Sequence, residues 1–205
     1  FDLGTCLTLN PKPTATGNNP KGDLIFSLKN WSLGGKVGLK LLGQDVVLPS
    51  SSKFTADANL MTNTLYGNEA VQIPEFLADL WITLIPVTVG LKIEPVGATT
   101  GSVSVDNNGM LHIHGTTKIN VLVRSLGEGP IQIPIGCRTA TPSTLALNYD
   151  GPISDLGSGK VGFSGTTTFA NMTGCGLVDL VLTGLMSGPG QTFDFTVTPP
   201  GSTWY

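Results

Sequence analysis

The feature that most limits what this chain can fold into is an alternation of period two, broken repeatedly by turn residues. Residues 101–106 read GSVSVD and residues 110–114 read MLHIH, with Asn107-Asn108-Gly109 between them. Successive side chains of a strand point to opposite faces, so each run offers one apolar and one polar face. Asn and Gly accept the positive φ that a tight hairpin loop demands. Similar runs recur at 33–41, 54–60, 131–135 and 192–198, where Phe193, Phe195 and Val197 share a face. The expected fold is all-β, an antiparallel β-sandwich or barrel with one short helix near the C-terminus. That helix is placed at 177–186, where Leu177, Leu180, Val181 and Leu185 share a face at helical spacing. Ser187-Gly188-Pro189-Gly190 stop it.

Local signals divide the remaining strands. The apolar run 24–28 ends near Asn30, and a separate strand begins at Leu33. Pro74 and Glu75 open a helical turn through Asp79, since proline suits the first helical position. Residues 81–85 and 87–93 are strands, with Pro86 at a bulge or edge. Gly115-Thr116 is a turn that separates MLHIH from a strand over 118–124.

The stretch from Cys137 to Cys175 holds two further strand-like runs, 143–149 and 160–169, around the turn-rich loop DGPISDLGSG. Both cysteines stand beside glycines at the edges of this paired-strand unit, so the expected disulfide is Cys137–Cys175. It closes a loop of about 38 residues, worth ~3–4 kcal/mol on the chain-entropy model. Such a bond needs an oxidising compartment. Cys6 is the odd cysteine. It is a free buried thiol, an alternative partner for Cys137 or Cys175, or one half of an intermolecular bridge.

The N-terminal run FDLGTCLTL is apolar, and NPKPTATGNNPKG after it reads as a flexible linker. Residues 1–22 are therefore taken as a strand on a tether and 23–205 as a single β domain, with a subdivision near residue 98 as the alternative. The tethered strand either folds back on its own domain or is donated to a neighbour by strand addition. Phe1 in place of Met fits a processed terminus, as export with removal of a signal peptide would leave.

Only 12% of the residues are charged, against about 25% in average soluble domains, and the net charge is −3. The eleven cationic residues form no run, which excludes the basic footprint of a nucleic-acid binder. No stretch of ~18 apolar residues supplies a transmembrane helix. A surface made of Thr, Ser, Asn and Gly suits an extracellular or envelope protein. It also suits a protomer that hides its flanks against copies of itself.

Sites for chemistry are sparse. His112 and His114 lie two apart on a strand and point to one face, so they are weak candidates for a zinc or copper site whose third ligand the sequence does not name. GFSG at 162–165 lacks the spacing of a nucleophile elbow. Asp106, Glu128, Asp150 and Asp155 fall in turns, where carboxylates bond nearby backbone N–H groups. No catalytic residue, metal or cofactor is assigned. Asn30-Trp-Ser and Asn171-Met-Thr match the glycosylation sequon.

Three segments, GCRTATPSTLAL (136–147), TGCGLVDLVLTGLMSGPG (173–190) and FDFTVTP (193–199), resemble secreted, β-rich proteins of actinobacteria, the mycolic-acid-bearing genera among them. The resemblance is confined to the C-terminal half. It implies an exported, envelope-associated protein with a disulfide, and it carries no activity or site residues.

The expected function is that of a non-enzymatic, exported surface protein that acts through protein–protein contacts and assembles with itself. Leu3, Cys6, Leu7, Leu9, Trp204 and Tyr205 are its candidate assembly residues. The alternative is a β-barrel that binds an apolar ligand around Trp81, Ile82 and Leu84, or that forms a pore in an outer lipid layer. A pore needs strands of about 9–11 residues, and most runs read as shorter. A second alternative is an enzyme acting on polysaccharide. Envelope lipid and polysaccharide are the further candidate partners.

Overall fold

A computed structural model of the protein describes residues 24–201. The candidate assembly residues Leu3, Cys6, Leu7, Leu9, Trp204 and Tyr205 lie outside that range.

The described chain is strand after strand. In order it runs β1 (Ile25–Leu39), β2 (Gln44–Val47), β3 (Lys53–Asn59), β4 (Thr64–Asn68), β5 (Val71–Ile82), β6 (Ile85–Pro95), β7 (Ala98–Val105), β8 (Met110–Glu128), β9 (Ile131–Thr139) and β10 (Ser143–Pro152). The helix α1 (Ser154–Ser158), β11 (Val161–Phe169), β12 (Met172–Thr173), a 3-10 turn (Gly176–Val178), α2 (Asp179–Met186) and β13 (Gly188–Thr198) complete it. Every strand pairing is antiparallel. The expected all-β class, with a short helix near the C-terminus, is what the chain forms.

Six strands close a barrel in the order β3-β4-β7-β8-β6-β5. The ring shuts where β5 returns to β3, pairing Lys53 with Gln72 and Phe54 with Val71. Outside the ring, β1 flanks β3 and carries β13 and then β11. Opposite, β10 lies along the first half of β8 and β9 along its second half. The sheet runs without interruption across residue 98, because β4 pairs with β7 and β6 with β8.

Several strands are longer than the local signals imply, and each extension has a physical cause. β1 is one strand of 15 residues, carried past Asn30 by a bulge: residues 29 and 30 oppose Thr55 alone, and Asn30 takes φ 55°. β8 is continuous over 19 residues, so Gly115 is not a turn. It faces Gly101 across the ladder, and a Cβ on Gly101 would stand 2.4 Å from the Gly115 Cα. The two glycines permit a close strand approach. Pro74 opens no helix. It occupies a bulge between Ile73 and Phe76 inside β5, where the missing N–H removes no ladder bond. The run 81–85 is not one strand: Trp81 and Ile82 end β5, Ile85 begins β6, and the hairpin turns at residues 83 and 84, where Thr83 takes φ 59°. Pro86 lies beyond the end of β8, whose pairing with β6 begins at Thr88. These lengths remove the argument against a pore from short strands.

The core fills the inward faces. Trp31, Leu33, Val123, Leu145, Leu147, Phe195 and Val197 are almost fully buried, and Phe193, Phe195 and Val197 share the inward face of β13 as their alternation predicts. Among the described residues, buried side-chain polar atoms are paired, as burial requires, with Ser143 Oγ the exception. Thr99 Oγ1 donates to Thr117 Oγ1 at 2.8 Å, and Thr139 Oγ1 donates to Asn120 Oδ1 at 3.1 Å. The turn-rich loop at 150–159 contains α1, whose Leu156 packs on the core and whose Asp155 accepts a 2.7 Å bond from the Tyr149 hydroxyl. Desolvation, helped by that carboxylate, pushes the Tyr149 phenol up to about 12.

α2 forms, but with a different face inward. Leu182 and Met186 are buried, whereas Leu177, Leu180 and Val181 face solvent. The helix begins only at Asp179, and Asp179 Oδ1 accepts from the Cys175 N–H. This sets the rotation of the helix.

Candidate functional site

Cys137 and Cys175 are disulfide-bonded, with Cα atoms 4.5 Å apart. The bond removes both as partners for Cys6. It also ties β9 to the segment that leads into α2, where β12 contributes only two pairs, Met172 with Thr139 and Thr173 with Arg138.

Exposed apolar side chains concentrate on the β5–β6 hairpin, on β9 and on the segment after the disulfide. β5, β6, β8 and β9 continue past the barrel as neighbouring ribbons. Leu77, Trp81, Leu84 and Ile85 are exposed on the β5–β6 hairpin, and Ile131 and Ile133 on β9. Leu177, Leu180 and Val181 follow the disulfide. Nine of the fifteen exposed large hydrophobics among the described residues sit on these elements. In register, Ile133 pairs with Leu126 and Leu126 with Val89, so Ile133 extends the core face of the sheet to where it is left exposed. Val89 pairs in turn with Ala78, so Leu77 and Trp81 lie on the opposite face of the sheet. The outer edge of β9 is unpaired from Ile131 to Gly136 among the described residues, because β12 reaches only Arg138 and Thr139. The edge of β5 is blunted instead. Gln44 Nε2 donates to the Trp81 carbonyl at 2.6 Å, and the Trp81 N–H donates to Gln44 Oε1 at 2.7 Å. One side chain thus supplies the bonds of a missing strand.

Trp81 and Leu84, candidates for an apolar ligand cavity, stand on that hairpin, 57% and 85% exposed, with Ile82 half-buried beside them. The enclosed apolar spaces lie elsewhere. One of about 50 Å3 is bounded by Phe26, Leu28, Leu65, Val103, Ile113 and Leu156. A surface depression of about 580 Å3 mixes Lys53 and Lys92 with Glu69 and Glu94, so it selects neither charge. The sequons at Asn30 and Asn171 are both exposed.

A second site lies on the polar outer face of β7, β8 and β10. The strand alternation that turns Leu111 and Ile113 into the core turns His112 and His114 outward. The β8–β10 register places Asp150 opposite His112. His112 Nδ1 lies 2.6 Å from Asp150 Oδ1, and His114 Nε2 lies 3.0 Å from the same oxygen. His112 Nε2 lies 3.1 Å from Asp106 Oδ2. The other oxygen of Asp106 accepts the backbone N–H groups of Asn108 and Met110, which locks this carboxylate to the β7–β8 turn. Sequence reasoning found both histidines and placed both aspartates in turns, but it did not join them. Asp150 follows His112 by 38 residues, across the whole of β9, and only the strand pairing brings them together.

No protein-family model, curated protein or solved structure matches the chain. Its function therefore has to be argued from these two surfaces.

Electrostatics at the polar site are directional. Asp150 first and Asp106 second raise the His112 imidazole above its ordinary 6.5. The hydrogen bond to His112 is the main cause lowering both Asp106 and Asp150 below 3.8. A raised histidine stabilises the fold below 6.5, and the benefit is lost as pH rises through its folded value. Lowered carboxylates stabilise it above 3.8, and the benefit is lost as pH falls through theirs. The cluster contributes most between about pH 4 and 6.5. In chelator-treated protein, the His112 ring resonances are expected to titrate with a midpoint above 6.5, and Asp150→Asn to bring that midpoint down. A midpoint unmoved by the substitution would contradict the observed pairing.

Proposed function

We propose that the protein works by contact rather than by catalysis, and that the partner is another copy of the same chain. The observation that carries this reading is the exposed apolar pair Ile131 and Ile133 at the unpaired edge of β9. The unpaired β9 edge from Ile131 to Gly136 adds main-chain donors and acceptors that a strand from a neighbour would satisfy. An isologous contact would set this edge against itself across a two-fold axis. The low charge of the chain fits a protomer with covered flanks.

The Cys137–Cys175 bond fits an exported protein of a cell envelope or extracellular space, because such bonds persist in oxidising compartments. The likeness of the C-terminal segments to secreted actinobacterial proteins agrees with that location. Among the described residues no helix is long and apolar enough to cross a membrane.

Sedimentation equilibrium of the full chain tests the proposal. The wild type is expected to run as a dimer or larger, and Ile131→Asp with Ile133→Asp to run as a monomer. Both positions are exposed, at 77% and 69%, so the pair leaves the fold intact. A wild type that stays monomeric at its highest soluble concentration would overturn self-association. Flotation of that monomer with lipid vesicles would transfer the apolar pair to a lipid partner.

A further inference from the structure

The polar site described above has the make-up of a metal centre rather than of a decorated turn. Two imidazoles and one carboxylate converge, with the ligand atoms of His112, His114 and Asp150 all within 4.8 Å of one another. We propose that His112 Nδ1, His114 Nε2 and Asp150 Oδ1 bind one divalent transition ion, of which zinc is the best fit, and that Asp106 orients His112 from behind.

The donor set selects the ion. Imidazole nitrogen suits zinc and its borderline neighbours, whereas calcium and magnesium require shells made of oxygen. Ligand atoms of a tetrahedral zinc site, with bonds of ~2.0–2.1 Å, stand about 3.3 Å apart. The observed separations of 2.6 Å and 3.0 Å to Asp150 Oδ1 fall just inside that value. The third separation, between the two histidine nitrogens, is within 4.8 Å, so the half-exposed rings must turn to close on the ion.

The arrangement of Asp106 is the independent sign. Ligating histidines donate their remaining ring N–H to a carboxylate or carbonyl, which fixes the tautomer and the ring plane. The Nε2–H of His112 has such an acceptor in Asp106 Oδ2, and the backbone N–H groups of Asn108 and Met110 already hold that carboxylate. His112 Nδ1, which hydrogen-bonds Asp150 Oδ1 in the metal-free cluster, gives up its proton when it ligates the ion. One oxygen of Asp150 serves both rings, so a nitrogen from each histidine converges on a single carboxylate atom.

The ligands also stand on rigid elements. His112 and His114 are interior to β8, and Asp150 is held opposite His112 by the β8–β10 ladder. Sites on strands keep their geometry better than sites on loops. The side chains remain 34% to 52% exposed, so the fourth position faces solvent. Water, or a donor from another molecule, occupies it.

Calorimetric titration of the full-length, chelator-stripped protein with zinc chloride tests the proposal. One ion per chain is expected, with no heat from magnesium or calcium at the same concentrations. His112→Ala, His114→Ala and Asp150→Ala are each expected to weaken zinc binding by more than tenfold, and Asp106→Asn by about 10- to 100-fold. Proton and carbon spectra of the wild type give a readout that depends on no variant. The ring resonances of both histidines are expected to shift together and saturate at one equivalent. Failure of the wild type to take up zinc, or uptake that leaves both rings unperturbed, would overturn the assignment. Binding that survives in His114→Ala but vanishes in Cys6→Ser would overturn it equally, by moving the ion to the thiol.

Discussion

Replacing Cys137 and Cys175 together by alanine is expected to lower the unfolding free energy by about 4 kcal/mol. The bond spans a sequence separation of 38 residues, and the chain-entropy model assigns a loop of that length about 4 kcal/mol at room temperature. For a chain of this size each kcal/mol moves the midpoint by about 2–4 °C, so the thermal midpoint should fall by roughly 8–16 °C. Alanine is the right replacement because both sulfurs are buried, and serine would add the cost of two buried hydroxyls. Position strengthens the expectation. Two residue pairs of β12, the bond from the Ala140 N–H to the Asn171 carbonyl and the disulfide hold the approach to α2 against the end of β9. The reduced wild type should first lose hydrogen-exchange protection over 172–186, since that segment has the fewest ladder bonds to replace the tie. A midpoint shift below about 3 °C, with free thiols confirmed by titration, would show that the cross-link carries little of the stability.

That disulfide was legible in the sequence because its signals are local. Glycines flank both cysteines, and the runs between them alternate clearly enough to form β10 and β11. The hairpin around Asn107-Asn108-Gly109 was legible for the same reason, and Gly109 indeed takes φ 75°. What sequence reasoning missed depends on distant neighbours. Gly115 has the look of a turn residue, and only Gly101 on the adjacent strand explains it as a point of close approach. Pro74 suits a helix start equally well until β6 and its bulge are in place. The apolar stripe Leu177, Leu180, Val181 suggested a buried face, but the disulfide and the bond from the Cys175 N–H to Asp179 fix the helix with Leu182 and Met186 inward. The polar site was half legible. Two histidines two apart on a strand must share a face, whereas their carboxylates come from a strand and a turn that no spacing rule connects to them.

Inserting one alanine between Asn30 and Trp31 is expected to abolish folding. Before the bulge the inward residues of β1 are even-numbered, Phe26 and Leu28; after it they are odd-numbered, Trp31, Leu33, Val37 and Leu39. The bulge performs that switch, with residues 29 and 30 opposing Thr55 alone while Asn30 takes positive φ and its N–H donates to Thr55 Oγ1. It absorbs one extra residue, so the inserted alanine would take the place opposite Phe54 that Trp31 now holds. The strand can then keep its ladder to β3 only by turning every later side chain to the other face. Trp31, Leu33, Val37 and Leu39 would move from under 8% exposure into solvent, at about 1.5–3 kcal/mol each. Four such losses are comparable to the roughly 5–15 kcal/mol of net stability typical of a whole domain. Ser32 and Lys36, both polar, would have to enter the core in exchange. The neighbouring strand amplifies the damage, because β13 pairs with residues 32–38 and would lose its partner register as well. Deletion of Asn30 is the opposite case: Lys29 alone then faces Thr55, the ladder becomes regular, and Trp31 stays inward opposite Phe54. Near-ultraviolet dichroism should show no fixed environment for the aromatic side chains in the insertion variant, while the deletion variant, and Asn30→Gly, which accepts the same φ, should keep the wild-type spectrum. An insertion variant that melts cooperatively within a few degrees of the wild type would mean that the second half of β1 has no fixed register, and that the core around Trp31 is organised by something other than this bulge.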